Sequence, residues 1–187
     1  YQSWNGVDET TMKSNRTFNS AGALYDVDYN VTGYYDNEVD NYRQDHAQLH
    51  VTQHINDDWN ANISFHYTYG RGYYEQYKAN EAYADYGLPE PIYGTDVITN
   101  TDLVRQLWLD NDFYGNIFSL QYKGNISQFT LGGGWNRYEG SHYGDVVWAE
   151  KGLALPARWY DLDADKNDFS LYFKQQTKIG SSFSIFY

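Results

Sequence analysis

Four histidines have a spacing that suggests metal chemistry. His46, His50 and His54 recur every four residues, and His66 follows in the next predicted strand. On a helix this spacing would create a metal-binding face, but the surrounding residues alternate in polarity and predict a strand. Four residues along a strand span about 13 Å, too far for two histidines to hold one ion. We interpret all four as lumen-facing residues of a sheet; a metal or haem contact is the alternative if the register brings His66 beside another histidine.

Carboxylates are the commonest candidate catalytic groups. Asp161, Asp163 and Asp165 resemble half of a calcium loop, but the downstream Gly and the Glu at position twelve are missing, so weak calcium binding is the alternative to a solvated loop. Nothing marks one pair among the 25 acids for glycoside hydrolysis. The run Gly132-Gly133-Gly134 lies in a predicted strand and lacks the Lys-Ser/Thr of a phosphate loop. We therefore expect no enzyme, no metal site and no cofactor.

The charge balance restricts the partners. The formal net charge is −12, and the chain has no basic stripe that would neutralise nucleic-acid phosphates, so we expect no nucleic-acid partner. Much of the acid lies in predicted loops. These loops are either simply solvated or form an acidic mouth that disfavours anions and tolerates cationic or metal-bearing ligands. Because there is no Cys, disulfides and thiolate metal sites are excluded.

Strands are the elements that would position these side chains. From Trp59 to Gly70, apolar or aromatic residues at odd positions alternate with polar or small residues at even positions, which predicts a strand with one apolar face. The same alternation predicts five further strands, which are centred on residues 46–55, 117–122, 129–136, 168–174 and 183–187. The strand around residues 117–122 is expected to run from Leu103 to Lys123, and its polar first half, with Asp110, Asn111 and Asp112, is expected to project beyond the outer surface.

The connections between these strands alternate in length. Residues 56–58, 123–127 and 179–182 form short turns, whereas Arg71 to Asp102 and Arg137 to Lys166 are predicted long loops. Residues 1–41 look like another long outer loop. Antiparallel strands thus place every short turn at one end and every long loop at the other, as in outer-membrane barrels. We predict an all-β fold: an antiparallel transmembrane β-barrel segment of about six meandering strands, too few to close a large barrel.

Composition and dimensions agree with that prediction. The mean hydropathy is −0.76, yet the chain holds 21 Tyr, 9 Phe and 6 Trp. No stretch approaches the roughly 18 consecutive apolar residues of a transmembrane helix, which leaves a closed barrel open. The apolar face of the Trp59–Gly70 strand would rise about 23 Å when tilted, close to the band of about 25 Å in such barrels. The aromatic residues that flank the short turns are predicted to form a membrane girdle, unless they reflect only the strand preference of aromatics: Trp59, Tyr122, Phe129 and Phe183.

Several segments resemble TonB-dependent outer-membrane receptors, particularly those of Bacteroidetes-type bacteria assigned to siderophore or iron-complex uptake. The matching stretches are Trp4-Asn5-Gly6, residues 16–19, residues 108–115 and residues 131–138. The resemblance covers essentially the whole chain, and it is a resemblance to the barrel part of these receptors only. It implies a 22-stranded barrel, an N-terminal plug and a TonB box. Neither plug nor box is visible in the sequence, which begins at Tyr1 as a mature or excised segment would, so residues 1–187 are expected to form a partial β-barrel domain.

The resemblance also implies a function and partners. It predicts location in the bacterial outer membrane, contact with its lipid, capture of a ferric siderophore or similar nutrient complex, and energy from TonB through the missing N-terminal region. Aromatic rings in the predicted loops are the candidate ligand contacts, with one arginine as an anion handle, unless they only hold the loops together: Tyr73, Tyr74, Tyr77, Trp148, Arg158 and Trp159. A soluble carbohydrate-binding β-domain with an aromatic platform, and a secreted glycosidase fragment, are the alternatives.

Overall fold

The chain folds as an all-β, antiparallel protein, as its alternating sequence predicts; 69% of it is strand and 6% helix. The computed structural model describes residues 6–152 and 154–187, so the Trp4-Asn5 part of the first matching stretch lies outside it. No helix of the described residues is long and apolar enough to span a membrane. In chain order, the elements are α1 (Glu9–Ser14), β1 (Ala23–Tyr25), β2 (Val31–Tyr34), β3 (Asp40–His54), β4 (Trp59–Ala82), a 3-10 helix (Tyr83–Tyr86), β5 (Ile92–Tyr93), β6 (Asp96–Val97), β7 (Asn100–Lys123), β8 (Ser127–Ala149), β9 (Ala157–Ile179) and β10 (Phe183–Phe186).

One six-stranded sheet accounts for the predicted strands. Its order is β10-β9-β8-β7-β4-β3, and two small two-stranded ladders, β1-β2 and β5-β6, stand apart from it. At one side of the sheet Phe183 pairs with Ile179 and Phe186 with Gln176. Within the described residues the sheet does not close on itself, and β3 and β10 are its outer strands. The prediction of about six meandering strands is therefore confirmed.

The chain divides into two compact units. The first unit contains residues 6–43, Arg71–Asp110 and Ser141–Asp163. The second unit contains Gln44–Gly70, Asn111–Gly140 and Ala164–Tyr187. Five strands, β3, β4 and β7 to β9, contribute residues to both units.

The short turns occur where the sequence predicts them. Residues 55–58, 124–126 and 180–182 join successive strands of the sheet. In the first of these turns, the Asn56 side chain accepts hydrogen bonds from the amides of Asp58 and Trp59, both at 3.0 Å. Asn is favoured in turns for this reason, because its side chain replaces a backbone acceptor.

The two predicted long loops between strands are wrong in extent. β4 continues to Ala82 and β7 begins at Asn100, while β8 continues to Ala149 and β9 begins at Ala157, so only residues 83–99 and 150–156 connect them. These extensions lack an apolar alternation because polar side chains pair across their strands. Arg71 bonds Asp110 at 3.2 Å, for example. Each cross-strand pair of this kind adds only a small stabilisation to the sheet, and such pairs leave no periodic hydrophobic signal in the sequence.

The predicted outer loop at residues 1–41 also contains regular structure. Helix α1 begins after Asp8, whose side chain accepts a hydrogen bond from the amide of Thr11 at 2.9 Å and so caps the helix. β1 and β2 then form a small antiparallel ladder in which Ala23 pairs with Tyr34. The first strand of the sheet begins at Asp40, several residues before the alternating segment.

The first unit has a small apolar core. Tyr86, Leu103 and Val146 are buried together, and Leu88, Ala149, Ala157 and Trp159 pack around them. The 3-10 helix supplies Tyr86 to this core, and the hydroxyl of its other buried tyrosine, Tyr83, donates to the carbonyl of Lys151 at 2.6 Å. Gly87 ends this helix with φ +61°, a left-handed conformation that favours glycine.

A glycine run lies inside β8, as the sequence predicts. A Cβ built on Gly133 would lie 2.5 Å from the carbonyl oxygen of Ser170 in the adjacent strand. A Cβ on Gly132 would lie 2.5 Å from the ring of Tyr172. The glycines therefore allow close approach of β9, in one case by its backbone and in the other by a side chain.

These two contacts predict different costs for the same substitution. Gly133→Ala must displace the backbone of β9, so we expect a loss of about 1–3 kcal/mol in the free energy of unfolding. Gly132→Ala is the matched control, because the Tyr172 ring that it meets is 47% exposed and is free to swing into solvent. Urea unfolding followed by tryptophan fluorescence measures both. Equal losses in the two variants would contradict the assignment of a backbone contact to Gly133 and a side-chain contact to Gly132.

Candidate functional site

An aromatic concavity of about 410 Å³ lies in the first unit. Four segments of the chain line it: Tyr35, which directly follows β2, then Glu75 and Tyr77 on β4, Val104 on β7, and Val147 and Trp148 on β8. The rings of Tyr35 and Tyr77 stand 5.8 Å apart and are tilted by 31°. Trp148 is 44% exposed. The surface is thus mostly apolar and aromatic with a single carboxylate.

Glu75 is the polar centre of this concavity. It is only 6% exposed. One carboxylate oxygen accepts hydrogen bonds from the Tyr35 hydroxyl at 2.7 Å and from the Asn37 amide at 2.6 Å, and the other accepts from Gln106 at 2.6 Å. The Glu75 backbone amide also donates to the carbonyl of Val39 at 2.9 Å. Glu75 therefore fastens residues 35–39 to β4.

These hydrogen bonds keep the Glu75 side chain in its ionised, negatively charged form. Burial opposes ionisation, but the donors Gln106, Tyr35 and Asn37 together outweigh it and hold the pKa of Glu75 below its ordinary value. Burial and the hydrogen bond to Glu75 raise the pKa of Tyr35 to about 12. At neutral pH the site therefore holds a carboxylate and a protonated phenol.

A second tyrosine–carboxylate pair fixes the other ring. The hydroxyl of Tyr77 donates to Asp102, whose other oxygen accepts from the amide of Asn80 at 2.9 Å. Burial, followed by this hydrogen bond, raises the pKa of Tyr77 to about 12. Because Tyr77 is anchored through its hydroxyl, its ring face remains available at the concavity.

A row of rings and guanidinium groups crosses four neighbouring strands of the first unit. Trp108 stacks on Tyr143 with centroids 5.7 Å apart and planes 12° apart, and Tyr73 lies 4.5 Å from Trp108. The guanidinium carbon of Arg71 lies 5.4 Å from the ring centroid of Trp108, and that of Arg158 lies 3.9 Å from the ring centroid of Tyr143. Cation–π contacts of this kind hold the planar groups in place.

Arg158, the predicted anion handle, is engaged by two carboxylates. It bonds Asp145 at 3.0 Å and Asp161 at 2.7 Å. The hydrogen bonds to Asp145 and Asp161 hold the pKa of Arg158 above its ordinary value. An anion would have to displace one of these carboxylates to reach the guanidinium.

The structure divides the six predicted ligand-contact residues into separate groups. Tyr77 and Trp148 meet at the aromatic concavity. Tyr73 and Tyr74 line another concavity, of about 200 Å³, with Asp40, Tyr42, Gly72, Leu107 and Leu109. Trp159 packs on Tyr86 beside the core of the first unit, with the two ring centroids 5.1 Å apart.

None of these six residues lies in a loop, which corrects the prediction. Tyr73, Tyr74 and Tyr77 belong to β4, Trp148 belongs to β8, and Arg158 and Trp159 belong to β9. The reason is the polar pairing that extends these strands past the alternating segments. The sequence did not predict the other residues that line the aromatic concavity: Tyr35, Glu75, Val104 and Val147. No local pattern links Tyr35 to a strand some 40 residues away.

The predicted lumen-facing histidines form a polar ladder in the second unit. Nδ1 of His46 lies 2.9 Å from Thr68 Oγ1, Nδ1 of His50 lies 2.8 Å from Ser64 Oγ, and Nδ1 of His54 bonds Asn60. Each histidine of β3 thus has its own partner on β4, and no two of them share one. The three partners occupy the even positions of β4 and therefore lie on the same side as His66.

His66 does not lie beside another histidine in this register. The partners of His46 and His50 are Thr68 and Ser64, so His66 falls between the two rungs. Its ring lies 5.0 Å from the ring of Phe113, and Nε2 is buried without a hydrogen-bond partner in the described part of the chain. Among the described residues, no group of three or more His, Asp or Glu is placed to hold a metal ion.

The Asp-x-Asp-x-Asp segment lies in strand β9, not in a loop as predicted. Its carboxylates have separate partners: Asp161 bonds Arg158 at 2.7 Å, Asp163 accepts from Ser141 at 2.9 Å, and Asp165 bonds Arg137 at 2.7 Å. Alternate residues of a strand lie about 7 Å apart, so neighbouring carboxylates do not converge on one ion.

Three of the four predicted girdle residues form one aromatic cluster in the second unit. The ring centroid of Trp59 lies 5.1 Å from that of Tyr122 and 5.4 Å from that of Phe129. The ring centroid of Phe129 lies 5.9 Å from that of Phe173. Phe183 is 75% exposed on β10. All four residues lie at strand ends next to the short turns.

Comparisons of the chain with protein-family models, with curated proteins and with solved structures find no match.

The hydrogen bonds of Glu75 predict a pH-dependent attachment of residues 35–39. Because the folded pKa is depressed, this stabilisation is fully present above the unfolded value of about 4.3 and is lost as the pH falls through the folded value. We therefore expect the exchange protection of the Glu75 amide to fall only at a pH below the ordinary pKa of a glutamate. Burial raises the pKa of nearby Glu38, so its protonation acts in the opposite direction.

Comparison with a variant isolates the contribution of Glu75. Glu75→Gln should remove this acid transition in hydrogen exchange, whereas Glu90→Gln, an exposed site with the same change in charge, should keep it. An unchanged transition in Glu75→Gln would contradict the assignment.

Proposed function

We propose that this chain forms part of the wall and outer segments of an outer-membrane β-barrel receptor, of the TonB-dependent kind that its sequence resembles. In this proposal the receptor takes up a ferric siderophore or similar nutrient complex, and TonB energises uptake through a region outside these residues. The observation that carries the proposal is the pair of contrasting faces on the sheet of the second unit.

One face of that sheet is apolar and exposed. Phe169 is 69% exposed, Leu171 61% and Phe183 75%. Exposed apolar surface on this scale marks an interaction with lipid or protein, because water does not favour it. The residues on this face, counted from β3 to β10, include Leu49, Val51, Phe65, Tyr67, Leu131, Trp135, Phe169, Leu171, Phe183 and Ile185.

The opposite face is mostly polar and internally hydrogen-bonded, although Ile117, on the same side of β7 as Ser119, is 56% exposed. The His46–Thr68 and His50–Ser64 rungs continue in a hydrogen bond from Thr52 to Asn62 at 2.9 Å, and Asn62 donates to Ser119 at 3.4 Å. Transmembrane barrels use this alternation, with apolar residues outward and polar residues inward. Further strands pairing with β3 and β10 would satisfy the outer edges of the sheet, which hydrocarbon does not tolerate unpaired.

The soluble carbohydrate-binding alternative has one supporting observation, the row of rings through Tyr73, Trp108 and Tyr143. Stacked rings bind sugar faces. Tyr143 is only 8% exposed, however, and Arg71 and Arg158 lie over the row. A soluble domain would also have to cover the apolar face of the second unit. The membrane proposal accounts for that face without another layer.

Adjacent residues of β9 on opposite faces test the membrane proposal. Leu171→Arg introduces a charge on the apolar face, so we expect it to lower folding stability in lipid vesicles by about 2–4 kcal/mol, according to depth. Ser170→Arg, on the polar face, is the matched control and should be tolerated. Urea titration of folding into vesicles measures both. Stable, monomeric protein in plain buffer would contradict the proposal.

The transport proposal has its own test. The receptor that contains this chain, solubilised in detergent, is titrated with ferric catecholate and hydroxamate siderophores, haem, cobalamin and oligosaccharides, and tryptophan quenching is followed. We expect saturable quenching by an iron complex. Saturable binding of an oligosaccharide alone, by protein that needs no detergent, would favour the carbohydrate-binding alternative.

A further inference from the structure

The aromatic concavity holds a negative charge that no cation of the described chain neutralises. Glu75 is 6% exposed and takes part in none of the described ion pairs. Its three donors, Tyr35, Asn37 and Gln106, are all neutral groups. A buried carboxylate is normally paired with a positive group. This carboxylate is therefore prepared for a positive partner that comes from outside the chain.

The surfaces around Glu75 specify what kind of cation fits. Tyr35, Tyr77 and Trp148 contribute rings, and Val104 and Val147 contribute aliphatic surface. The electron-rich faces of such rings attract organic cations. A bare metal ion needs several oxygen ligands, and of the residues lining the concavity only Glu75 has a carboxylate. A neutral apolar molecule would cover the carboxylate without compensating its charge.

We propose that this concavity binds a small organic ammonium cation of the alkylammonium class. The ammonium head would lie against the rings of Tyr35, Tyr77 and Trp148, with Glu75 supplying the opposite charge. The volume of about 410 Å³ accommodates a head group with several alkyl substituents. This site is independent of the proposed transport function, because every contact belongs to the first unit and none involves lipid or iron.

Long-range electrostatics favour the same class of ligand. The formal net charge of −12 raises the local concentration of cations near the surface. The hydrogen bonds that keep Glu75 ionised also keep its charge in place at neutral pH. If a ligand carries a phosphate beside its ammonium, the net negative charge of the chain and the carboxylate of Glu75 both repel that phosphate. We therefore expect a cation without a phosphate group to bind in preference to a phosphocholine head group.

Isothermal titration of the full chain with choline tests the proposal. The protein is held in a maltoside detergent, because detergents with choline-like head groups would compete. The control ligand is 3,3-dimethylbutan-1-ol, which has the shape of choline without its charge. We expect saturable choline binding, no measurable binding of the alcohol, and weaker binding of phosphocholine. Alcohol binding as tight as that of choline would overturn the proposal, and phosphocholine binding as tight as that of choline would overturn the free cation as ligand.

Two variants assign the binding to this concavity. Glu75→Gln keeps the side-chain shape and removes the charge, so choline binding should weaken about tenfold or more. Glu90→Gln makes the same charge change at an exposed position and should leave binding unchanged. Trp148→Leu keeps Glu75 and removes an exposed ring, and it should weaken choline binding severalfold. Choline affinity that is unchanged in both Glu75→Gln and Trp148→Leu would overturn the proposal, whatever the outcome of the membrane tests.

Discussion

The register of β4 against its neighbours is the constraint on which the rest of the structure depends. A strand points successive side chains to opposite sides, so a slip of one residue would exchange its two faces. In the second unit the register is set by the hydrogen bond from the Lys123 amide to the Asp58 carbonyl at 2.8 Å and by the Asn62–Ser119 contact. With this pairing, Trp59, Tyr122 and Phe129 cluster on one side, and the histidine rungs lie on the other.

The same constraint acts through polar groups in the first unit. Gln106 donates to Glu75, and Arg105 donates to Gln76 at 2.9 Å, so that neighbouring residues of β7 bond neighbouring residues of β4 on opposite sides of the sheet. One side faces the small core around Tyr86, and the other receives the segment that contains Tyr35. The aromatic concavity exists because the register places Glu75 and Tyr77 where that segment attaches.

The ion pairs leave negative charge in surplus. Arg71 lies beside Asp110, and Arg158 lies between Asp145 and Asp161. Pairs with this degree of exposure add little stability in water, but they orient the guanidinium groups over the rings of Trp108 and Tyr143. Because the arginines are occupied in this way, Glu75 and many exposed acids remain to attract cations. The electrostatics therefore agree with both a cation-tolerant receptor surface and an organic cation site.

The sequence by itself determined the strands whose apolar and polar residues alternate. Trp59 to Gly70 reads unambiguously as a strand, and Asn56 and Gly124 mark turns, because side-chain periodicity and turn chemistry are local properties. The sharing of one face by the histidines follows from the same periodicity. Their separate partners on β4 do not, because register is a property of two strands.

Only the tertiary structure decided the length of the strands and the make-up of the site. Residues 71–82 have no alternating signal, and they form a strand because their polar side chains pair with those of β7 across the sheet. The meeting of Tyr35 with Glu75, and of Trp148 with Tyr77, depends on segments far apart in the chain. A local pattern cannot encode such a meeting, because it depends on the register and on the attachment of residues 35–39, and both emerge only when the whole sheet has formed.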